Sequence, residues 1–543
     1  MIVICEKVEE LPTRSENQTL TDYAETLSDL YIQKQSLTHR KKRGQYFTPK
    51  RVSEFMVQLF DGIHGYEKIR ILDPGAGVGN FESAICDYIA SQNKEVNTTK
   101  VHVSFDLYEN CEDIIPFLEL NMRACKEFMA QKGLDISFRI FKENFILAHT
   151  VDFQEELVNQ IPSAEFKYDL VICNPPYYKL KKNSPEALAM KKIVKGQPNI
   201  YVLFMAMAAK LIKGGGQLVF LTPRSYCTGN YFSEFRKWFL DHITLIRLHV
   251  FESRRLLEKE AVLQEMLILK GERGREQPDN ITVSGSYKEP NQTTQLTMRE
   301  VPFDMVVISR DDDIQIRIPT TEIEELIAKE IDKLKFTLMA LGFKASTGPV
   351  VPFRITDYLL SKMDGEGKSA PLIWMENIRY GKVVWPLPTN KKPVALLVGE
   401  KTNRLFIPNS NYVLIKRFST REGKRRINAG VLIQRWLPIQ IVAIENHVNY
   451  VYKVGAKLTK DEAYGLTEVF NSKLYNLYFR MSNGSTQVNA SELNKIPLPS
   501  LDIIARIGQH VREKEMVEGM AKQRFIMTTL GIVPAVINQL LID

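Results

Sequence analysis

Ile71-Leu72-Asp73-Pro74-Gly75-Ala76-Gly77-Val78-Gly79-Asn80-Phe81 sets a glycine-rich turn between an apolar run and an amphipathic stretch, and the fold is read outward from this junction. The run at 69–72 is followed by six more at 101–105, 137–141, 168–173, 217–221, 244–251 and 262–269. Helical patterns at 81–90, 111–129 and 200–212 lie between the earlier ones. Strand alternating with helix predicts an α/β unit: a doubly wound, Rossmann-like, seven-stranded sheet, mostly parallel and covered on both faces. The last two runs have no long helix between them, which predicts an antiparallel hairpin at the sheet edge. The polar stretch 271–290 reads as the exit from this unit. Shorter apolar runs follow at 371–374, 394–398, 412–415 and 439–444. Helical stretches come near 466–480, from Ser491, and from Asp502 to the end. A second, mixed α+β domain is therefore expected, with the division at 1–320 and 321–543.

A chain of 543 residues with 44% hydrophobic and 25% charged residues is long enough for two full cores. It holds no apolar run of membrane-spanning length, and Met1–Glu6 does not read as a signal peptide, so no membrane association is expected. The six cysteines are scattered without a C-x-x-C pair. That predicts neither disulfides nor a metal site, and a reducing cytoplasm. The net charge of +8 is unevenly placed: residues 391–430 hold ten Lys/Arg against two Glu. Seven basic residues and no acid lie in 30–51, and six basic residues against Glu186 lie in 179–195. One such run is ordinarily a solvated face; three of them point to a polyanionic partner.

A glycine turn after the first strand lies where a doubly wound sheet binds its ligand, and Pro74, Gly75 and Gly77 would let backbone approach a nucleoside. The spacing is G-x-G-x-G, and Asp73 stands at its entrance. By itself such a loop serves nucleotide dehydrogenases, methyltransferases and plain tight turns alike. A carboxylate there would repel a pyrophosphate but suits a ligand with an ammonium and a sulfonium, such as S-adenosylmethionine. Asp106, at the end of the second strand, could accept hydrogen bonds from both ribose hydroxyls. With both acids in place, the methyltransferase reading leads. Asn144 and Phe145, after the third strand, could meet an adenine edge and face, or be a loop residue beside a core ring. Thr48 and Pro49 read as ordinary helix-start chemistry, with Thr48 as N-cap.

The fourth strand runs directly into Asn174-Pro175-Pro176-Tyr177. Two prolines lock the backbone there, holding two acceptors, the Asn174 side-chain oxygen and the Pro175 carbonyl, at fixed positions. A planar exocyclic amine has two hydrogens for them, and Tyr177 could lie on the face of its base. A Pro-Pro turn that merely caps a strand is the bland alternative.

On these residues the chain resembles the gamma-class, TaqI-like N6-adenine DNA methyltransferases of bacterial type II restriction–modification systems. Gly44-Gln45-Tyr46-Phe47-Thr48-Pro49 resembles the family's segment before the first strand. Asp73–Gly79 resembles its cofactor loop, Asp106 its ribose acid, and Asn174–Tyr177 its catalytic tetrapeptide. The tetrapeptide also occurs in methyltransferases acting on RNA guanine and on glutamine amides, but the large C-terminal region stands where a DNA target-recognition domain belongs. The resemblance implies that S-adenosylmethionine is held by Tyr46, Thr48, Asp73, Pro74, Gly75, Gly77, Asp106, Asn144, Phe145 and Asn174. It implies catalysis by Asn174, Pro175, Pro176 and Tyr177 on an adenine flipped from duplex DNA and stacked on Tyr177 and Phe251. Asn144 stands where the family has an acid; its amide oxygen could still accept from the cofactor's adenine amine.

Lys416, Arg417, Arg421, Lys424, Arg425 and Arg426 would lie on phosphates, giving salt-dependent affinity. Double-stranded DNA is thus the expected partner. A cognate endonuclease would share the site without needing to bind, and the protein is expected to act as a monomer in the bacterial cytoplasm. The competing readings are an RNA or protein amine methyltransferase, a bifunctional restriction–modification enzyme and an inactive DNA-binding protein. Glu366-Gly367-Lys368 has the acid-x-Lys form of a nuclease centre but lies in a polar stretch that reads as a surface loop.

Overall fold

Tyr168–Cys173 is apolar at nearly every position and buried along its length, the pattern of a strand covered on both faces. It is β4 of a nine-stranded sheet in the computed structural model. The model describes residues 12–63, 67–92, 102–151, 167–194, 196–251, 265–286, 296–310, 313–364, 367–379, 381–387, 392–419, 425–437, 439–483 and 487–542. The chain divides into two compact units, Met1–Thr320 and Thr321–Asp543.

In the first unit the strands are β1 (Lys68–Asp73), β2 (His102–Tyr108), β3 (Asp135–Phe141), β4, β5 (Ile212–Pro223), β6 (Ile243–Phe251), β7 (Met266–Arg273), β8 (Asn280–Ser286) and β9 (Thr297–Pro302). Their order is β3-β2-β1-β4-β5-β7-β6-β8-β9. The first five run parallel, and β7 lies antiparallel between β5 and β6. Helices α1 (Leu20–Lys34), α2 (Lys50–Val57), α3 (Asn80–Gln92), α4 (Ile115–Gln131), α5 (Phe145–Ala148), α6 (Pro185–Ala189), α7 (Ile200–Leu211) and α8 (Ser233–His242) accompany it. Every residue of α7 is buried, as an all-round apolar helix requires.

The sheet corrects the seven-strand expectation. Beyond β6 come β8, parallel to it, and β9, antiparallel to β8. The β6–β7 pair is therefore interior rather than at the edge, and the stretch expected as an exit, 271–290, carries β8 as far as Ser286. β8 has only two buried apolar side chains, Ile281 and Val283, and its second half is buried but polar: the Ser284 and Ser286 hydroxyls pair with the two ring nitrogens of His249 at 3.0 and 3.1 Å. Burial pushes the His249 imidazole down to about 3, so it is a neutral structural partner.

The strand order reverses between β1 and β4, the switch point at which ligands enter doubly wound sheets. The glycine turn after β1 and the Asn-Pro-Pro-Tyr turn after β4 both sit there. Gly79 has φ +90°, and a Cβ on it would lie 2.7 Å from Asn121 Nδ2. That amide in turn donates to the carbonyls of Val78 and Gly79 at 2.9 Å, holding the turn closed.

The second unit has a six-stranded and a five-stranded sheet among its described residues. Where one helix was expected near 466–480 there are two, Lys460–Asn471 and Lys473–Ser482, because Ser472 turns extended and caps the second. The expected long terminal helix is three: Leu501–Glu513, Met520–Thr529 and Pro534–Ile542. Gly531 and Pro534 interrupt it. No helix among the described residues is long and apolar enough to cross a membrane.

Arg236 on α8 is fully buried and donates to Asp313 Oδ1 at 2.8 Å and to the carbonyls of Tyr226 and Gly229 at 2.8 Å. R236M would remove the buried guanidinium that pairs with Asp313 and leave the carbonyls of Tyr226 and Gly229 without that donor. Chemical denaturation of the variant is expected to show the first unit destabilised by about 3–5 kcal/mol.

Candidate active site

At the switch point lies a cavity of about 500 Å³. Its walls are the segment 43–48, the glycine turn 74–77, residues 108–110 after β2, residues 143–145 after β3, Asn174, Pro176 and Tyr178 after β4, and Ile200 and Phe204 of α7. Four separate strand ends thus converge on one space. Of the residues singled out from sequence, Tyr46, Thr48, Pro74, Gly75, Gly77, Asn144, Phe145, Asn174 and Pro176 line it; Asp73, Asp106, Pro175, Tyr177 and Phe251 do not.

Asp106 is not the acid of this cavity. It pairs across the sheet with Arg139, which donates to both its oxygens at 2.8 and 2.6 Å. Tyr168 adds a bond of 2.8 Å and Arg70 one of 3.3 Å. Burial opposes its ionisation, but these bonds and charges together hold its carboxyl below the usual range. The acid at the cavity wall is Glu109. Strand β2 runs on to Tyr108, three residues past the 101–105 run, so the first residue beyond the strand end is Glu109. Its carboxylate accepts from Gly77 N at 3.2 Å and Cys111 N at 2.8 Å. Burial pushes it up to about 7.

Asp73 turns beneath the glycine loop instead of facing a ligand at its entrance. One oxygen accepts from Gly75 N at 2.9 Å, while the other is buried without a hydrogen-bond partner among the described residues. Burial raises its pKa to about 7, and Glu82, likewise buried and with no hydrogen-bond partner for either oxygen among the described residues, is held well above the usual carboxylate range by burial and by Asp73.

Asn144 caps α5: its side-chain oxygen accepts from Ile146 N and Leu147 N at 3.0 and 3.2 Å, and its amide donates to Glu186 at 3.0 Å. The oxygen expected for an adenine amine is already engaged twice. Phe145 is buried, with Tyr108 edge-on at 5.2 Å.

Asn174 is held from behind. Its Nδ2 donates to the Tyr46 carbonyl at 2.9 Å and to Thr48 Oγ1 at 3.0 Å. Since a carbonyl can only accept, the amide nitrogen must face it and Oδ1 must face away. Gly44 makes this approach possible: it has φ +64°, and a Cβ there would meet Tyr177 N at 2.7 Å. Thr48 is not the cap of α2; Pro49 takes that position without a side-chain bond, and the Thr48 hydroxyl serves Asn174.

The two aromatic rings expected on a target base are both covered. Tyr177 stacks on Tyr46 at 5.7 Å, meets Tyr201 edge-on, and directs its hydroxyl to Asn174 Oδ1 and the Leu221 carbonyl. Phe251 is fully buried with His249 edge-on at 4.8 Å. Tyr108, Glu109, Glu143, Tyr178 and Phe204 line the cavity unforeseen. Only Glu109 left a trace in the sequence, as an acid just past a strand run.

In the second unit the basic run is largely used by the fold. Arg426 is 5% exposed and donates to Ser419 Oγ at 2.9 Å and Asn483 Oδ1 at 3.2 Å, which contradicts its reading as a phosphate contact. Arg417 spans the Asn446 carbonyl and Gln487 Oε1, and Arg425 pairs with Glu518. Lys416 is half-buried, and burial lowers its pKa. Arg421 and Lys424 lie outside the described residues. Among the described residues no group of three or more His, Cys, Asp or Glu could hold a metal ion.

The Eco57I restriction-modification methylase family matches residues 86–256. The chain is 36% identical to the type II methyltransferase M.PstI of Providencia stuartii over 475 residues, 87% of this chain and 90% of that one. It is 34% identical to M.BsuBI of Bacillus subtilis over 480 residues, 88% and 91% of the two chains. The type IIL restriction-modification enzyme MmeI, solved in complex with DNA, has a similar fold, with a TM-score of 0.50 and 12% identity over 91% of this chain and 72% of that one.

Asp73 and Glu109 rise from ordinary values of 3.8 and 4.5 to about 7 on folding. Between those limits the folded chain binds more protons than the unfolded chain, so this contribution to stability falls as pH rises from about 4 to about 7. Denaturation across that range is expected to show the decline, and D73N and E109Q are each expected to flatten it.

Proposed function

The chain belongs to the type II methyltransferases of restriction–modification systems, and from that premise we propose that it transfers a methyl group from S-adenosylmethionine to the N6 amine of an adenine extruded from a specific duplex DNA site. The observation that carries this reading is the Asn174 amide. Its nitrogen is committed to Tyr46 O and Thr48 Oγ1, so Oδ1 is the acceptor end of the amide at the end of β4, one strand from the glycine turn; the Tyr177 hydroxyl donates to it in this structure, and a substrate amine would take that place.

The cavity fits the cofactor. Its volume is in the range of small-molecule sites. Glu109 offers carboxylate oxygens suited to ribose hydroxyls, the 74–77 turn permits close backbone approach, and Tyr108, Phe145 and Phe204 supply an aromatic wall for a purine. When bound, the cofactor supplies a methyl group on an electron-poor sulfonium.

The rest of the chemistry falls to the chain. An adenine N6 lone pair is delocalised into the ring and is a poor nucleophile. Asn174 Oδ1 and the Pro175 carbonyl would accept its two hydrogens, draw the nitrogen out of conjugation, and stabilise the positive charge that grows on it during attack. No strong base is required, because the methylated ammonium loses its proton readily to water. The base must leave the duplex to reach these acceptors, at a cost of a few kcal/mol. In the structure Tyr46 covers the face of Tyr177, so a base stacking on Tyr177 would exchange with Tyr46 for that face.

The first unit is thus assigned catalysis and the second target recognition. Lys416, Arg421 and Lys424 remain the phosphate contacts of the basic run, and methylation would protect the cell's DNA from an endonuclease sharing the site. The protein would act as a monomer in the cytoplasm.

Methyl transfer from labelled S-adenosylmethionine to unmethylated bacterial DNA, with RNA and protein in parallel, followed by nucleoside mass spectrometry, tests the reading. N6-methyladenine in DNA is expected, with N174A reducing the rate about 100-fold or more. Label confined to RNA or protein, or N4-methylcytosine in DNA, would overturn it. For the second unit, K416A is expected to weaken DNA binding and lower the salt slope by about 1. R426A is expected instead to lower the unfolding temperature while the salt slope stays as in wild type.

A further inference from the structure

Thr48 has a hydroxyl that its own helix does not use. The residue is 5% exposed and precedes a helix capped without a side-chain bond. Its Oγ1 accepts from Asn174 Nδ2 at 3.0 Å across 126 positions of chain. Its carbonyl accepts from Asn80 Nδ2 at 2.7 Å, and Asn80 Oδ1 accepts from Ser28 on α1 at 3.2 Å. Asn80 opens the helix that leaves the glycine turn. An unbroken set of hydrogen bonds therefore runs from that helix start, through Thr48, to the amide at the end of β4.

The Tyr46 carbonyl settles which end of the Asn174 amide faces inward, and the Tyr177 hydroxyl holds Oδ1 until an amine displaces it; once it is displaced, the bond to Tyr46 by itself leaves the amide free to tilt. A second bond, from the other N–H to Thr48, fixes the plane. We propose that Thr48 is a positioning residue. Its hydroxyl locks the Asn174 amide plane so that Oδ1 points at the incoming amine, and Asn80 ties that lock to the cofactor loop. The inference rests on Asn174 being the acceptor proposed above, and it deepens that reading. It gives Thr48 a role toward the amide in addition to its place in the cavity wall.

The test compares T48V, which keeps the shape and loses the acceptor, with T48S, which keeps the acceptor. Steady-state kinetics on DNA are measured alongside calorimetric binding of S-adenosylhomocysteine. T48V is expected to lose roughly 10- to 100-fold in kcat, a larger factor than any loss in S-adenosylhomocysteine affinity, and T48S to restore most of kcat. An unimpaired T48V, equal losses in both variants, or a loss confined to cofactor affinity would each overturn the proposal. If T48V does not fold, T48A is judged by the same criteria. Wild-type protein inactive on DNA, or a fully active N174A, would instead remove the functional reading and this one with it. An active wild type beside an unimpaired T48V removes this one alone.

Discussion

Parallel pairing of Ile71 with Leu170 and Leu72 with Val171 is the constraint on which the candidate site depends. It sets the ends of β1 and β4 side by side where the strand order turns from descending to ascending, so two turns about 100 residues apart in sequence share a wall. The close approach is visible in the glycines. A Cβ on Gly44 would collide with the backbone of Tyr177, whereas one on Gly75 would make an ordinary contact with Cys173 Sγ at 3.6 Å. A third segment, 44–48, is threaded into the same gap and supplies both acceptors for the Asn174 amide.

Four carboxyl groups around this gap show how environment assigns roles to one chemical type. Asp106 is ringed by Arg139, Arg70 and Tyr168 and remains a charged strut between strands. Asp73 and Glu82 lie under the glycine turn with no paired cation among the described residues, and burial favours their protonated forms. Glu109 reaches the cavity wall with two backbone donors, keeping acceptor capacity for a ligand. The pH-dependent stability expected of this unit and the shape of the turn therefore come from the same buried acids.

The second unit makes the same point with cations. A run of basic residues looks like a phosphate-binding face when only the sequence is read. Folding turns Arg426 inward to Ser419 and Asn483 and lays Arg417 across Asn446 and Gln487. Arginine suits such work because its planar fork satisfies several acceptors at once.

Much of the first unit was legible because strands and helices have different periods. β1 through β7 fall on the apolar runs to within a few residues, and the Asn-Pro-Pro-Tyr turn announces itself through two prolines after a buried strand. β8 offers only Ile281 and Val283 as a local signal, and its buried serines pair with His249, a partner 35 and 37 positions away that no local pattern reveals. In the same way the sequence supplied a plausible acid, Asp106, while the true end of β2 decided that Glu109 meets the cavity. Tyr177 and Phe251 carried the right chemistry for a base, but packing against Tyr46 and His249 determined which faces they expose. Sequence by itself thus determined the doubly wound architecture, the glycine turn and the acceptor turn, because apolar spacing, glycine and proline act locally on the backbone. Only the tertiary structure decided which side chains reach the cavity and which are spent on each other, because hydrogen bonds and ion pairs are made between residues that the chain brings together from far apart.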